Sequence, residues 1–112
     1  MANTFTNASV AVGTSLTNLY TVPGSTSAVV HSLFLSNIHA TDAITADVAI
    51  TQAAARPNSS ATTTYIAKNV DIVKGSTLII DKPINLATGD ILKVLASAAS
   101  KCEATASILE IT

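Results

Sequence analysis

Two histidines, one cysteine and seven carboxylates are the residues of this 112-residue sequence with the most chemistry to offer. A metal site would have to recruit His39 with Asp42 and Asp47, a set whose spacing follows no established ligand rhythm. His31 falls inside a run of strand character and His39 in the turn after it, so the two imidazoles are not expected to converge. Cys102 is the single cysteine, which excludes an intrachain disulfide and a thiolate-rich metal centre. It becomes a nucleophile only if a histidine base reaches it; a lone Cys entering a strand reads instead as a small core residue. No serine sits in a nucleophile elbow, and among so many Ser and Thr a chance triad carries no information. Gly13-Thr14-Ser15 lacks the lysine and the following helix of a phosphate-cradling loop. Asp81 and Asp90 lie in turns, where Asp is favoured for local hydrogen bonding rather than for acid–base work. The expectation is a chain with no catalytic residue, no cofactor and no metal.

The elements that would have to position these residues are strands. β-Branched residues dominate, and Gly, Pro, Asn and Asp fall between them. The runs of strand length are residues 5–12, 16–22, 28–38, 44–51, 62–68, 76–81, 91–97 and 103–111. Ile44, Ala46, Val48 and Ile50 alternate with Thr45, Asp47 and Thr51, a period of two with one face buried and the other solvated. Ala104, Ala106 and Ile108 oppose Glu103, Thr105 and Ser107, with a phase slip at Ile108-Leu109 that suits a bulge. Residues 28–38 are apolar on both faces, as in a central or interface-covered strand, and residues 91–96 behave alike apart from Lys93. In Val22-Pro23-Gly24-Ser25, Pro presets φ and Gly supplies the positive φ of a type II turn. A helix over the alanine-rich residues 43–55 is the one competing reading. About eight short strands with turn signals between them predict an all-β, antiparallel β-sandwich or jelly-roll-like single domain. It spans residues 1–112, with residues 1–12 either an N-terminal arm added to a neighbouring subunit's sheet edge or the first strand of its own sandwich.

Composition bears on partners. Hydrophobic residues make up 48% of the chain and charged residues only 12%, against roughly 25% charge in an average domain. A surface built from small neutral side chains is poorly protected against association, so the chain reads as a subunit meant to be packed. The formal net charge is −1, and Arg56, Lys68, Lys74, Lys82, Lys93 and Lys101 are scattered. That excludes the basic stripe of a nucleic-acid binder and gives no attraction to anionic lipid. Tryptophan is absent, and of Phe5, Tyr20, Phe34 and Tyr65 the last three read as core or turn anchors, which leaves no aromatic platform for sugars. No apolar run approaches the ~18 residues of a membrane span. Met1-Ala2-Asn3-Thr4-Phe5 lacks the basic residues and long apolar stretch of a signal peptide, so assembly in a cytoplasm is expected.

Three segments carry a resemblance. They are Tyr20-Thr21-Val22-Pro23 followed by the strand from Ala28 to Asn37, the pairing of Lys74-Gly75-Ser76-Thr77-Leu78 with Leu86-Ala87-Thr88-Gly89-Asp90-Ile91-Leu92-Lys93-Val94, and the close Ser107-Ile108-Leu109-Glu110-Ile111-Thr112. Together, from about Tyr20 to the C-terminus, they resemble small β-sandwich structural proteins of tailed phages, particularly phages of aquatic bacteria and cyanobacteria. The resemblance implies a virion structural protein, assembled in the host cytoplasm, with no catalytic site. It implies a head decoration or cement protein bound to the major capsid protein, or else a tail, collar, baseplate or fibre-tip component with a receptor- or carbohydrate-binding role. By analogy with other decoration proteins, a homo-oligomer, preferably a trimer, is expected. The loops at residues 22–27, 37–42 and 56–61 are the expected contact elements, because recognition commonly resides in loops on a rigid scaffold.

Overall fold

The structure, a computed structural model, describes residues 2–53 and 63–112. Those residues form nine strands: β1 (Asn3–Ala11), β2 (Thr17–Thr21), β3 (Ser27–Asn37), β4 (Ile44–Thr51), β5 (Thr63–Ile72), β6 (Thr77–Ile80), β7 (Ile84–Leu86), β8 (Ile91–Ala96) and β9 (Cys102–Ile111). Every pairing is antiparallel. The first sheet runs β1-β9-β3-β6, with β7 also on β3, and the second runs β2-β8-β4-β5. With β6 and β7 sharing one position beside β3, this is the eight-position order of a jelly roll, two Greek keys folded face to face.

The core between the sheets is aliphatic. Leu33 and Leu35 of β3, Val48 of β4, Leu92 and Val94 of β8 and Ile108 of β9 are fully buried. Large and small side chains alternate across neighbouring strands: Leu33 pairs with Ala106 and Leu35 with Ala104, while Ala8 and Val10 flank the same alanines from β1. Such alternation lets the layers interdigitate at native density. The Tyr20 hydroxyl on β2 donates to Glu110 on β9 and joins the two sheets at one end.

Several expectations change. The alanine-rich helix is not there: Ile44–Thr51 is β4, and Ala46 is fully buried in register with Val70 and Ala96. Alanine serves here for close strand packing rather than helix propensity, as tertiary context overrides a weak prior. Strands number nine instead of eight because Asp81-Lys82-Pro83 interrupts one edge, Pro lacking the N–H that a continuous ladder needs. The left-handed residue of the turn after β2 is Ser25 (φ 55°), not Gly24. Thr26 Oγ1 donates to the Gly24 carbonyl at 3.0 Å and braces the turn in that form. The bulge expected at Ile108-Leu109 lies instead on β3, at His31 between Val30 and Ser32, while β9 keeps unbroken register with β1. Leu109 and Ile111 face outward beside other apolar residues, and that imitated a slip in phase.

Candidate interaction surface

The residues with chemistry to offer are dispersed into separate, satisfied networks. His39 Nδ1 accepts from the backbone N–H of Thr41 at 3.1 Å and of Asp42 at 3.3 Å, which leaves its proton on Nε2, 3.5 Å from Asp42 Oδ2. Asp47 is committed elsewhere. It is buried on β4, where it accepts from Asn69 N–H at 2.7 Å and from Lys68 Nζ at 3.0 Å. Asn69 stands in the left-handed region (φ 52°) at the irregularity of β5, so Asp47 satisfies the N–H that the broken ladder strands there. Lys68 also lies over the Tyr65 ring, 4.5 Å from its centroid, and the bond to Asp47 raises the ammonium's pKa. His31 stands beside the Phe5 ring, centroids 6.3 Å apart. Asp81 is exposed, whereas Asp90 is buried and accepts from Ala87 N–H at 3.0 Å and Ala53 N–H at 3.1 Å. Among the described residues no group of three or more His, Cys, Asp or Glu could hold a metal ion.

Cys102 is buried where β9 begins, as its sequence context suggested. Burial first, and the nearby Glu103 carboxylate second, lift the thiol from its ordinary 9.0 to about 11. The consequence for stability has a definite sign. Below pH 9 the thiol is neutral folded and unfolded, and nothing is lost. Between pH 9 and 11 only the unfolded chain ionises, so stability falls, by about 2 kcal/mol at pH 11 for a shift of this size. Tyr20, raised by burial and by its bond to Glu110, adds to the loss in the same direction at higher pH. Urea midpoints of the wild type should therefore drop from pH 9 to 11, and Cys102→Ala should flatten that segment of the profile.

What the structure does assemble is a surface, which sequence reading had approached only through the two-sided apolar character of β3. Strand register fixes which side chains share the outer face of the first sheet. One row holds Phe5, Leu109, Val29 and Asn85. The next holds Asn7, Ser107 and Ser32, then Ser9, Thr105, Phe34 and Ile79, then Ala11, Glu103, Ser36 and Thr77. Phe5 is 78% exposed and Ile79 55%, with Val29, Phe34, Leu109 and Ile111 half-buried. Hydroxyl pairs across the strands, Ser9–Thr105 at 3.1 Å and Ser36–Thr77 at 3.3 Å, tie the rows together. Glu103 is the one charged side chain in these rows. The outer face of the second sheet differs, because Asp47, Lys68, Asp71 and Lys93 all stand on it. Tyr65 is there too, 42% exposed, and Phe34 is half-buried on the first sheet, both within strands, so neither is the core or turn anchor expected. The sequence had no way to show this: an aromatic on a strand is inward or outward according to a register that is set by its neighbours.

Of the expected contact loops, residues 22–27 and 37–42 are pinned by internal hydrogen bonds from Thr26 and Asn37. Residues 56–61 lie outside the described residues.

An all-β jelly roll whose first sheet presents a nearly uncharged outer face is the class of protein defined here. No protein-family model matches the chain, and no curated protein sequence matches it. Solved structures share its fold. A chain of the acid-stable capsid of Helicobacter pylori bacteriophage KHP30 matches all of this chain and 89% of its own length, with TM-score 0.54 and 12% identity. A chain of the T13 viral particle of IBDV matches 96% of this chain, with TM-score 0.55 and 12% identity; this chain spans only 30% of its length. A chain of the disulfide-linked pili that form Bacillus endospore appendages matches 99% of this chain and 87% of its own, with TM-score 0.51 and 14% identity. At these identities the likeness is one of fold.

Proposed function

We propose that this chain is a phage head decoration, or cement, protein that docks the outer face of its first sheet on the outer surface of the major capsid protein. The observation that carries the reading is that face itself: part apolar, closed by neutral Ser, Thr and Asn, with Glu103 the one charge in its rows. A surface of this kind gains by being covered and has little charge to desolvate. Whole-length fold likeness to a chain of a bacteriophage capsid supports it. Modest area buried by many copies would reinforce a shell, since binding free energy adds across a multivalent array. The role is structural, and hydrolysis of capsule sugar or peptidoglycan by the purified chain would overturn it.

A tail, collar, baseplate or fibre-tip component with a receptor- or carbohydrate-binding role is the second reading, favoured by the fold likeness to a pilus chain. Disulfide linkage of that kind does not suit this chain, whose one cysteine is buried. The exposed aromatics also do not line a common groove, Phe5 lying on the first sheet and Tyr65 on the second.

A cryo-EM map of the parent particle decides between them. Density studding the outer capsid in many copies supports decoration; a few copies at the neck or tail discard it. On such particles Ile79→Lys should weaken shell binding at least about tenfold, the cost of setting a charge in an apolar contact. Thr63→Lys, on the outer face of the second sheet, should leave shell binding unchanged.

A further inference from the structure

Four sheet edges are available for strand addition, and three carry features that block it. β6 and β7 are split by Asp81-Lys82-Pro83. β5 is broken by register shifts at Lys68 and Asn69 and carries charge at Lys68 and Asp71. β2 is five residues long with its own irregularity between Asn18 and Tyr20. Interruptions, bulges, charges and short strands are the devices by which proteins protect edges. β1 has none of them: it is nine residues, Asn-Thr-Phe-Thr-Asn-Ala-Ser-Val-Ala, regular against β9 throughout, without charge, Pro or Gly.

Among the described residues, the hydrogen bonds also fix which of its groups are left for another strand. Ala2 and Thr112 exchange both backbone bonds, at 3.3 and 2.9 Å, and Val12 donates to Cys102 at 2.9 Å. In an antiparallel pair such bonded positions alternate with unbonded ones. The even-numbered residues of β1 therefore face β9, and Asn3, Phe5, Asn7, Ser9 and Ala11 turn their N–H and C=O groups to the open edge.

We propose that β1 pairs antiparallel with β1 of a second copy of this chain, about a two-fold axis at Asn7, and joins the two first sheets into one. In this register Asn7 meets Asn7, Phe5 meets Ser9 and Asn3 meets Ala11, so the five outward residues of each copy bond in full. Side chains of one face stay on that face, which a half-step register would violate. No like charges are brought opposite one another, and the partner's Ser9 stands beside the exposed Phe5 ring. A ring of three would need β1 to pair with a different edge of its neighbour, and those edges are protected; the two-fold arrangement uses the open edge on both sides. This replaces the trimer expected by analogy, and it goes beyond the docking of the outer face, which it leaves free.

Light scattering on the purified chain, eluting from a sizing column, tests it apart from any particle. A mass of two chains is expected, falling to one in Asn7→Lys, where two ammonium groups are forced together, with circular dichroism unchanged. On a Cys102→Ala background, Asn7→Cys should oxidise to a covalent dimer, because bonded antiparallel positions lie ~5.5 Å apart between Cα atoms, within disulfide reach. Ala11→Cys should not, since Ala11 faces Asn3. A monomer at every concentration, or cross-linking as efficient through Ala11→Cys as through Asn7→Cys, overturns the proposal and leaves the shell-binding reading untouched.

Discussion

Replacement of Asn37 by aspartate should be among the most damaging single-atom-group changes this fold can suffer. Asn37 ends β3 with 2% of its surface exposed. Its Nδ2 donates to the carbonyls of Ile72, at 2.8 Å, and Asp42, at 3.0 Å, and its Oδ1 accepts from His39 N–H at 2.8 Å. Its own backbone bonds Ser76 and Gly75. One side chain thus joins the end of β3, the loop into β4 and the end of β5. Asn37→Asp sets a buried carboxylate oxygen against two carbonyls, a cost of about 3–5 kcal/mol. Asn37→Leu keeps the branched shape but strands three backbone groups, about 3 kcal/mol. The two variants are separated by pH. The introduced carboxyl is more costly charged than neutral, so its folded-state pKa lies above its unfolded value. Stability is then retained in acid and lost as pH rises, and the Asn37→Asp deficit should shrink on acidification while that of Asn37→Leu stays constant. Urea midpoints at neutral and acid pH measure this; equal deficits at both would remove the electrostatic account.

Asn37 also marks how far the sequence could be read. β-Branched runs between turn signals placed β4 to the residue and β1, β2, β3, β6, β8 and β9 to within two, and in β4 and β9 one buried and one solvated face left a period-two record as well. β7 went unseen, as three residues are too few to show a period. Asn37, Asp47 and Asp90 read as polar residues of turns or of a solvated strand face, yet each is buried. What buries them is the meeting of segments distant in sequence, such as Asp47 with Asn69 or Asp90 with Ala53. Local composition carries no trace of such pairings. The outer face of the first sheet was half legible: the two-sided apolar character of residues 28–38 marked a central or interface-covered strand, but the rows that extend it to Phe5, Leu109 and Ile79 depend on β1, β9 and β6 lying beside it.

Gly89 supports the second large effect, and Gly75 provides its control. Both glycines hold positive φ, 85° and 70° respectively, and both follow strands at tight turns. Either substitution by alanine meets the left-handed penalty of ~1–2 kcal/mol. At Gly75 that is all, since a Cβ there would have nothing within 4 Å. At Gly89 the new Cβ would stand 2.8 Å from the Cβ of Ala53, a methyl fixed directly to the backbone and unable to swing aside. The turn or the exit of β4 must move, and movement strains two bonds that meet there: Gly89 N–H to the Val22 carbonyl, at 3.0 Å, and Ala53 N–H to Asp90 Oδ1, at 3.1 Å. Overpacking of this kind adds ~1–3 kcal/mol. Gly89→Ala is therefore expected to cost about 3–4 kcal/mol and Gly75→Ala about 1–2 kcal/mol by urea unfolding. Part of the Gly89 loss should return in the double variant Gly89→Ala, Ala53→Gly, which removes the opposing methyl. If the doubled variant is no more stable than the single one, backbone strain alone sets the cost, and the contact between this turn and β4 contributes nothing.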